Sequence, residues 1–299
     1  MNEWRYRYAG VDIASSLELP EWATFATAPT AHAADVVIRQ RDPIPSTDCA
    51  AYALAADKAA LTFSLPKIGR YWIHRGCEIG LAPYGAVAAS DLRLFLLGSA
   101  WGALSYQRGW FPLHASVVQI GAGVVAFCAP VGGGKSSLAA WLVKQGYPLF
   151  SDDLCRLDVT SDQLPRVWRA APRLKLWQDA LLALNWQDQP LTRDQLRLDK
   201  FHLAYAAENS VETLPLRALY VLNWGELSVQ RLTGLDAVQS VIEAATYRPE
   251  FVEVLGQTAL YWECVIKLAG QIPIFRLQRP RDWAAMPTVG ERLIEHVGG

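Results

Sequence analysis

A glycine-rich segment at residues 129–137, APVGGGKSS, has the residue types and spacing of a phosphate-binding loop. It matches G-x-x-x-x-G-K-[ST] except that Ala129 replaces the first glycine. Glycines permit the turn in which successive N–H groups point at phosphate oxygens, and the following helix offers its free N-terminal amides. In such a loop Lys135 neutralises the β- and γ-phosphates of ATP and the Ser136 hydroxyl ligates Mg²⁺. The expected nucleotide contacts are Val131, Gly132, Gly133, Gly134, Lys135, Ser136 and Ser137.

Two adjacent acids, Asp152 and Asp153, follow the next strand-like segment at 147–150. One helix and a turn separate them from the loop, so we expect them at the carboxyl end of a neighbouring strand, where such sheets bind ligands. One carboxylate can hold Mg²⁺ and the other can accept a proton from a hydroxyl nucleophile. We assign the proton to Asp152 and the metal, together with Ser136, to Asp153. The sequence leaves an exchange of these roles open, and an Asp pair that caps a turn is the structural alternative.

His114 begins the strand that is expected to pair with the strand leading into the loop. The segments 115–120 and 123–128 are strand-like, and the Gly121-Ala122 pair between them predicts a hairpin. In that hairpin His114 lies opposite Cys128, at the end nearest the loop, and can orient the catalytic base. A lone histidine is more often structural. The antiparallel strand also departs from the all-parallel sheets of P-loop ATPases.

The elements around these residues predict an α/β protein with two parts. Short strand-like segments run to about residue 85, including 4–13, 35–39, 61–65 and 70–74, and predict a small, mostly β N-terminal domain at 1–87. A kinase domain at 88–299 would begin with a linking helix at 88–109, for which Ser90 is the expected N-cap. Further elements are expected: helices at 136–145, 234–247 and 252–268, and strands at 219–223 and 272–277.

Composition narrows the class of protein. The chain has 299 residues, 52% of them hydrophobic, and a formal net charge of −1, which provides no cationic field for nucleic acid or anionic lipid. The five cysteines are odd in number and include no CxxC pair, which favours a reducing compartment; Cys128 and Cys155 are expected in the core. The uncharged run at 109–134 is broken by proline and glycine, and the N-terminus lacks an apolar signal region. We predict a cytoplasmic homo-oligomer with neither nucleic-acid nor membrane partners.

The combination of LHAS, a strand, APVGGGKSS and a helix ending in QGYPLFSDDL resembles the catalytic domain of HPr kinase/phosphorylase. The resemblance is strong over about residues 110–160 and weak beyond. It implies a PEP-carboxykinase-like P-loop domain with a mixed sheet, and a kinase that uses ATP and Mg²⁺ and in which one aspartate acts as base on a protein serine. The N-terminal segments RYRYAGVDIASSLELPE and ADVVIR look more like HPr-kinase-related proteins of bacterial gene clusters, some of which resemble lasso-peptide-precursor kinases. The positions that match the family pattern are Gly132, Gly134, Lys135, Ser136, Asp152, Asp153 and His114.

The chain also departs from the bifunctional enzymes of that family. Where those enzymes carry a Glu-containing LEIRG-type segment, this chain reads PRLKLW at 172–177, with no acid. That departure puts the phosphorylase activity, and HPr as the acceptor, in doubt. Arg173, Lys175 and Lys200 are cations that could clamp phosphates or substrate, although surface solvation explains each equally well.

Two classes of function therefore remain open. The first is an ATP- and Mg²⁺-dependent kinase that phosphorylates a hydroxyl of a peptide, a protein or a small molecule. The second is a nucleotide-binding regulatory or interaction protein, or an ATPase, that transfers no phosphate to an acceptor. The second acid of the Asp152–Asp153 pair favours the kinase, because a binding protein needs only one carboxylate for Mg²⁺.

Overall fold

The structure is a computed structural model that describes residues 3–29, 32–45, 53–57, 59–159, 163–193, 199–204 and 211–298. The chain forms two compact units. The first comprises Met1–Pro112 and Arg248–Tyr261, and the second comprises Leu113–Tyr247 and Trp262–Gly299. Residues 88–112, which the sequence-based division at residue 87 assigns to the C-terminal domain, fall within the first unit.

The first unit contains a mixed β-sheet. Its described strands are β1 (Trp4–Tyr8), β2 (Val11–Ser15), β3 (Val36–Gln40), β4 (Ala53–Ala56), β5 (Ala60–Leu65), β6 (Gly69–His74) and β7 (Glu78–Pro83). They lie in the order β1-β2-β3-β7-β6-β5-β4. The single strand expected at 4–13 is two antiparallel strands, because Ala9 and Gly10 adopt φ values of 50° and 80° and reverse the chain. Aromatic side chains fill this unit: Trp22 is 2% exposed and stacks on Tyr8, with 4.2 Å between ring centroids.

The second unit contains the sheet that carries the glycine-rich loop. The strands described from residue 111 onwards belong to this sheet and to a smaller one, and the boundary between the two units falls within the first of them, β8. They are β8 (Phe111–Leu113), β9 (Ser116–Ile120), β10 (Gly123–Cys128), β11 (Leu149–Asp152), β12 (Cys155–Asp158), β13 (Arg166–Trp168), β14 (Arg173–Trp177), β15 (Leu191–Arg193), β16 (Lys200–Ala204), β17 (Thr213–Trp224), β18 (Ser228–Leu232) and β19 (Ile274–Arg279). The predicted hairpin is confirmed, since β9 is antiparallel to β10. Across the loop region the order is β11-β9-β10-β17-β19, with β10, β17 and β19 mutually parallel. A separate small sheet has the order β14-β16-β15.

The described α-helices are α1 (Ala89–Phe95), α2 (Trp101–Gln107), α3 (Lys135–Lys144), α4 (Gln178–Leu184), α5 (Gly234–Ala245), α6 (Pro249–Val254), α7 (Thr258–Gln271) and α8 (Met286–Gly298). The helix predicted at 88–109 is α1 and α2 joined by a π-helical turn at Leu96–Ala100. The assignment of Ser90 as its N-cap is wrong: Ala88 holds that position, and Ser90 lies inside the first turn. The helix predicted at 252–268 is interrupted between α6 and α7, where Gly256 adopts a φ of 66°.

The glycine-rich loop is anchored in a hydrophobic core at both ends. Every residue of β10 is buried, and α3 packs Leu138 and Leu142 into the same cluster as Phe127 and Tyr220. Full burial of each such side chain stabilises the fold by about 1.5–3 kcal/mol. The core therefore fixes where the loop leaves the sheet and where the helix begins.

Two of the cysteines and most of the uncharged run lie in or beside strands. Cys128 and Cys155 are buried free thiols, and burial raises the pKa of each to about 12, as suits small core residues. Cys49 lies outside the described residues. The run at 109–134 forms β8, β9, β10 and most of the loop, and none of the helices in the described ranges is long and apolar enough to cross a membrane.

Candidate active site

The glycine-rich loop has the backbone geometry that its glycines suggested. Gly132 and Gly134 adopt φ values of 81° and 79°, in the left-handed region that favours glycine, and Gly134 is the N-cap of α3. A Cβ on Gly133 would lie 2.4 Å from the Cβ of Ala129. The alanine that replaces the usual first glycine is therefore accommodated because residue 133 has no side chain.

Lys135 is buried at the start of α3, and its ammonium stays beside the loop. Its Nζ donates a hydrogen bond of 2.8 Å to the carbonyl of Ala129. Burial lowers the pKa of Lys135, while Cys128, Asp153 and Asp152 oppose that change. The positive charge thus lies where phosphate oxygens would meet the loop amides.

Asp152 is tied directly to the loop. Its Oδ1 accepts hydrogen bonds from the hydroxyls of Ser136, at 2.8 Å, and Ser116, at 2.6 Å. Its Oδ2 accepts one from the backbone N–H of Lys175, at 2.8 Å. Burial raises the pKa of Asp152 despite the bonds from Ser116 and Lys175, and the nearby Asp153 charge acts in the same direction as burial. Ser116, in the LHAS segment, was missed by the sequence analysis, although its place two residues after His114 was a usable signal.

Asp153 faces a different set of partners. One carboxylate oxygen forms an ion pair with the Lys175 ammonium, and the other lies 3.5 Å from Nε2 of His114. Burial alone would raise the pKa of Asp153, but the charge of Lys175 and the hydrogen bond from His114 hold it well below its usual range. Asp153 also adopts a φ of 89°, a strained backbone conformation for a residue other than glycine.

His114 lies between β8 and β9 and does not begin the strand that pairs with β10, because that pairing starts at Ser116, opposite Phe127. Contacts on both sides hold it in place. Its backbone N–H donates to the carbonyl of Ala245, and its ring meets Tyr247 edge to face, with 5.7 Å between ring centroids. These contacts leave Nε2 directed at Asp153.

The three predicted cations occupy different positions. Lys175 is at the site, where its ammonium pairs with Asp153. Arg173 lies two residues earlier on the same face of β14, opposite Ala204 of β16. Lys200 lies opposite Trp177, and its ammonium is 5.8 Å from the centroid of that ring.

Arg279 is a residue of the loop environment that the sequence analysis missed. It is 2% exposed and donates from Nη2 to the carbonyls of Gly133 and Gly134, at 3.3 and 3.1 Å. Its guanidinium lies 4.3 Å from the ring centroid of Trp224, and burial lowers its pKa to about 10. A Cβ on Gly134 would lie 1.9 Å from Nη2, so this glycine makes room for the arginine.

The donor set at the loop suits a hard divalent cation. Among the residues that the structure describes, no group of three or more His, Cys, Asp or Glu could hold a metal by itself. The Ser136 hydroxyl donates a hydrogen bond to the Asp152 carboxylate, and both groups present oxygen atoms, the ligands that Mg²⁺ prefers. Phosphate and water oxygens usually complete the coordination of Mg²⁺. The residues present therefore fit Mg²⁺ bound together with a nucleotide.

Comparisons with known proteins add little to this geometry. No protein-family model and no curated protein matches the chain. Among solved structures, it is similar to the HPr(Ser) kinase/phosphatase from Coxiella burnetii, with a TM-score of 0.33 and 10% sequence identity, over 62% of this chain and 89% of that chain. Similarity at this level concerns the fold at most and carries no conclusion about activity.

Proposed function

We propose that this chain is an ATP- and Mg²⁺-dependent kinase that transfers the γ-phosphoryl group to a hydroxyl of a peptide, a protein or a small molecule, with serine as the expected acceptor residue. The observation that carries the proposal is that two adjacent carboxylates have separate partners. Asp152 accepts a hydrogen bond from the loop serine, Ser136, whereas Asp153 interacts with His114 and forms an ion pair with Lys175. A protein that only binds nucleotide needs the first carboxylate and has no use for the second.

Asp152 and Ser136 are the residues that would hold Mg²⁺. This exchanges the roles first assigned from sequence, because the loop serine hydroxyl donates to Asp152. When bound, Mg²⁺·ATP supplies the electrophilic phosphorus and neutralises charge on the phosphates. A cation beside Asp152 favours its ionised form and so opposes the rise in its pKa that burial causes.

Asp153 is then the group that orients the acceptor hydroxyl and takes its proton. The low pKa of Asp153 keeps its carboxylate ionised. In phosphoryl transfer through a loose transition state, the main task of such a base is to position the nucleophile. His114 and Lys175 hold one carboxylate oxygen each, so they fix the orientation of the group. Lys135 contributes its positive charge at the loop.

Single-turnover phosphoryl transfer from γ-labelled ATP, with serine-bearing peptides and small molecules as acceptors, tests the assignment. Asp153→Asn removes the base, so transfer should fall by about 10²–10⁴ while affinity for Mg²⁺·ATP barely changes. Asp152→Asn should instead raise the Mg²⁺ concentration required. Asp179→Asn, an exposed aspartate on α4, is the matched control and should transfer at the original rate. Unchanged transfer in both site variants would favour a nucleotide-binding protein in which the pair caps a turn.

The direction of the reaction is a further part of the proposal. The strand β14 carries Arg173 and Lys175 and no acid, unlike the LEIRG-type segment of the bifunctional enzymes. We therefore expect a kinase with little phosphorolysis. Supplying the phosphorylated acceptor with inorganic phosphate should yield almost no pyrophosphate; release at a rate near that of the forward reaction would contradict this expectation.

A further inference from the structure

A cavity of about 340 Å³ lies beside the loop, on the opposite side from the two aspartates. Pro130, which follows β10, forms part of its wall, and residues of β17, β19 and α5 form the rest. The strand order β11-β9-β10-β17-β19 puts the aspartates of β11 on one side of the loop strand and the cavity on the other. The loop therefore has the two aspartates on one side and the cavity on the other.

The sheet and α5 create this cavity between them. Val221 and Asn223 of β17 lie directly opposite Arg276 and Gln278 of β19, at alternating positions that face the same side of the sheet. The intervening residues of the two strands, Leu222 and Leu277, belong to the core formed with α3 and α8 on the other side. The wall from α5 is contributed by Ser240, Glu243 and Ala244. All three parallel strands end at this edge, where ligands bind in such sheets.

We propose that this cavity binds the nucleoside portion of the nucleotide whose phosphates lie on the loop. The inference rests on the proposed function, because it takes the γ-phosphate to lie at the aspartates and the rest of the molecule to extend the other way. Its walls combine apolar surface from Pro130, Val221, Ala244 and Trp224 with polar groups, as ligand pockets do, and its volume is at the lower end of their range. Trp224 also contacts the guanidinium of Arg279, which donates hydrogen bonds to the loop carbonyls. This contact connects the cavity wall to the proposed phosphate site.

The polar wall indicates which bases the cavity prefers. The Glu243 carboxylate is an acceptor only and the Arg276 guanidinium is a donor only. Together they favour a base that presents an exocyclic amino group and ring-nitrogen acceptors, such as adenine, over uracil, whose single N–H lies between two carbonyl oxygens. Gln239 already donates to Oε1 of Glu243, which orients the carboxylate and leaves its other oxygen for the ligand. The inference therefore includes a selectivity for ATP over UTP.

Calorimetric titration of the full chain with Mg²⁺·ATP and with Mg²⁺·tripolyphosphate tests the cavity, because tripolyphosphate has the phosphates and lacks the nucleoside. Ser240→Trp should raise the Kd for ATP by about tenfold or more and leave the Kd for tripolyphosphate within about twofold. Leu235→Trp, at an 84% exposed position on the same helix, is the matched control and should change neither. Equal effects of Ser240→Trp on both ligands, or equal affinity of the unmodified chain for both, would overturn the cavity assignment and leave the phosphate loop intact.

Glu243→Gln provides a second variant that preserves shape. It should weaken ATP binding by about tenfold and reduce the preference for ATP over UTP, since a hydrogen bond to a charged group is lost. An unchanged ATP-to-UTP ratio would refute the base preference. Failure of the unmodified chain to bind either ATP or tripolyphosphate would overturn the proposed function itself, and this inference with it.

Discussion

Replacing Gly134 by alanine should destabilise the protein by more than the same change at Gly146. Both glycines have positive φ, 79° and 93°, and both lie in the second unit, at opposite ends of α3. A Cβ at Gly146 would meet no heavy atom of the described residues within 4 Å, whereas a Cβ at Gly134 would lie 1.9 Å from Nη2 of Arg279. Gly146→Ala therefore isolates backbone strain, and Gly134→Ala adds the displacement of a buried arginine.

The magnitude follows from these two contributions. An L-residue in the left-handed region costs about 1–2 kcal/mol, which is the whole effect expected for Gly146→Ala. Displacing Arg279 from the carbonyls of Gly133 and Gly134 loses hydrogen bonding from a charged donor, which contributes about 1.5–3 kcal/mol. We therefore expect Gly134→Ala to lower the free energy of unfolding by roughly 2.5–5 kcal/mol.

Urea unfolding followed by circular dichroism measures both variants, alone and in an Arg279→Ala background. When the guanidinium is absent, Gly134→Ala should lose most of its excess cost and approach the cost of Gly146→Ala, because the remaining close neighbour of the new Cβ is the edge of the Trp224 ring, at 3.1 Å. Gly146→Ala should cost the same in either background. If Gly134→Ala is equally destabilising with and without Arg279, the contact between the arginine and the loop contributes nothing, and this reasoning is refuted.

Two further predictions concern the charges of the site. Lys175→Met should move the acidic limb of the pH–rate profile to higher pH, because the proposed base, Asp153, would act when ionised and would lose the cation that lowers its pKa. Lys267→Met, at an exposed position, is the control, and an unmoved limb would exclude Asp153 as the base. Lys135→Ala should abolish turnover or weaken ATP binding while preserving the circular dichroism spectrum. Lys144→Ala, at the far end of α3, is the control and should bind ATP normally. Equal affinity and turnover in the Lys135 variant and the unmodified chain would exclude a phosphate loop here.

The parts of the site that sequence could predict are those close together along the chain. The loop, the hairpin before it and the acids after it occupy residues 114–153, and local periodicity and turn residues are enough to predict their elements. The partners from distant segments could not be predicted in this way. Arg279 is 145 residues from Gly134, and only the parallel pairing of β10, β17 and β19 brings them together. The roles within the Asp152–Asp153 pair were open for a similar reason, because they depend on where Ser136, Lys175 and His114 point in the fold.

The hydrogen bonds from Arg279 to the loop carbonyls also determine the direction of two backbone N–H groups of the loop. The peptide bonds of this segment are trans and planar, so each carbonyl points away from the N–H of the same peptide unit. Arg279 holds the carbonyls of Gly133 and Gly134, and the N–H groups of Gly134 and Lys135 are therefore turned to the opposite side. For the proposed nucleotide, these two amides are therefore preorganised: its phosphates would bind without ordering this part of the backbone, and less affinity would be lost to conformational entropy.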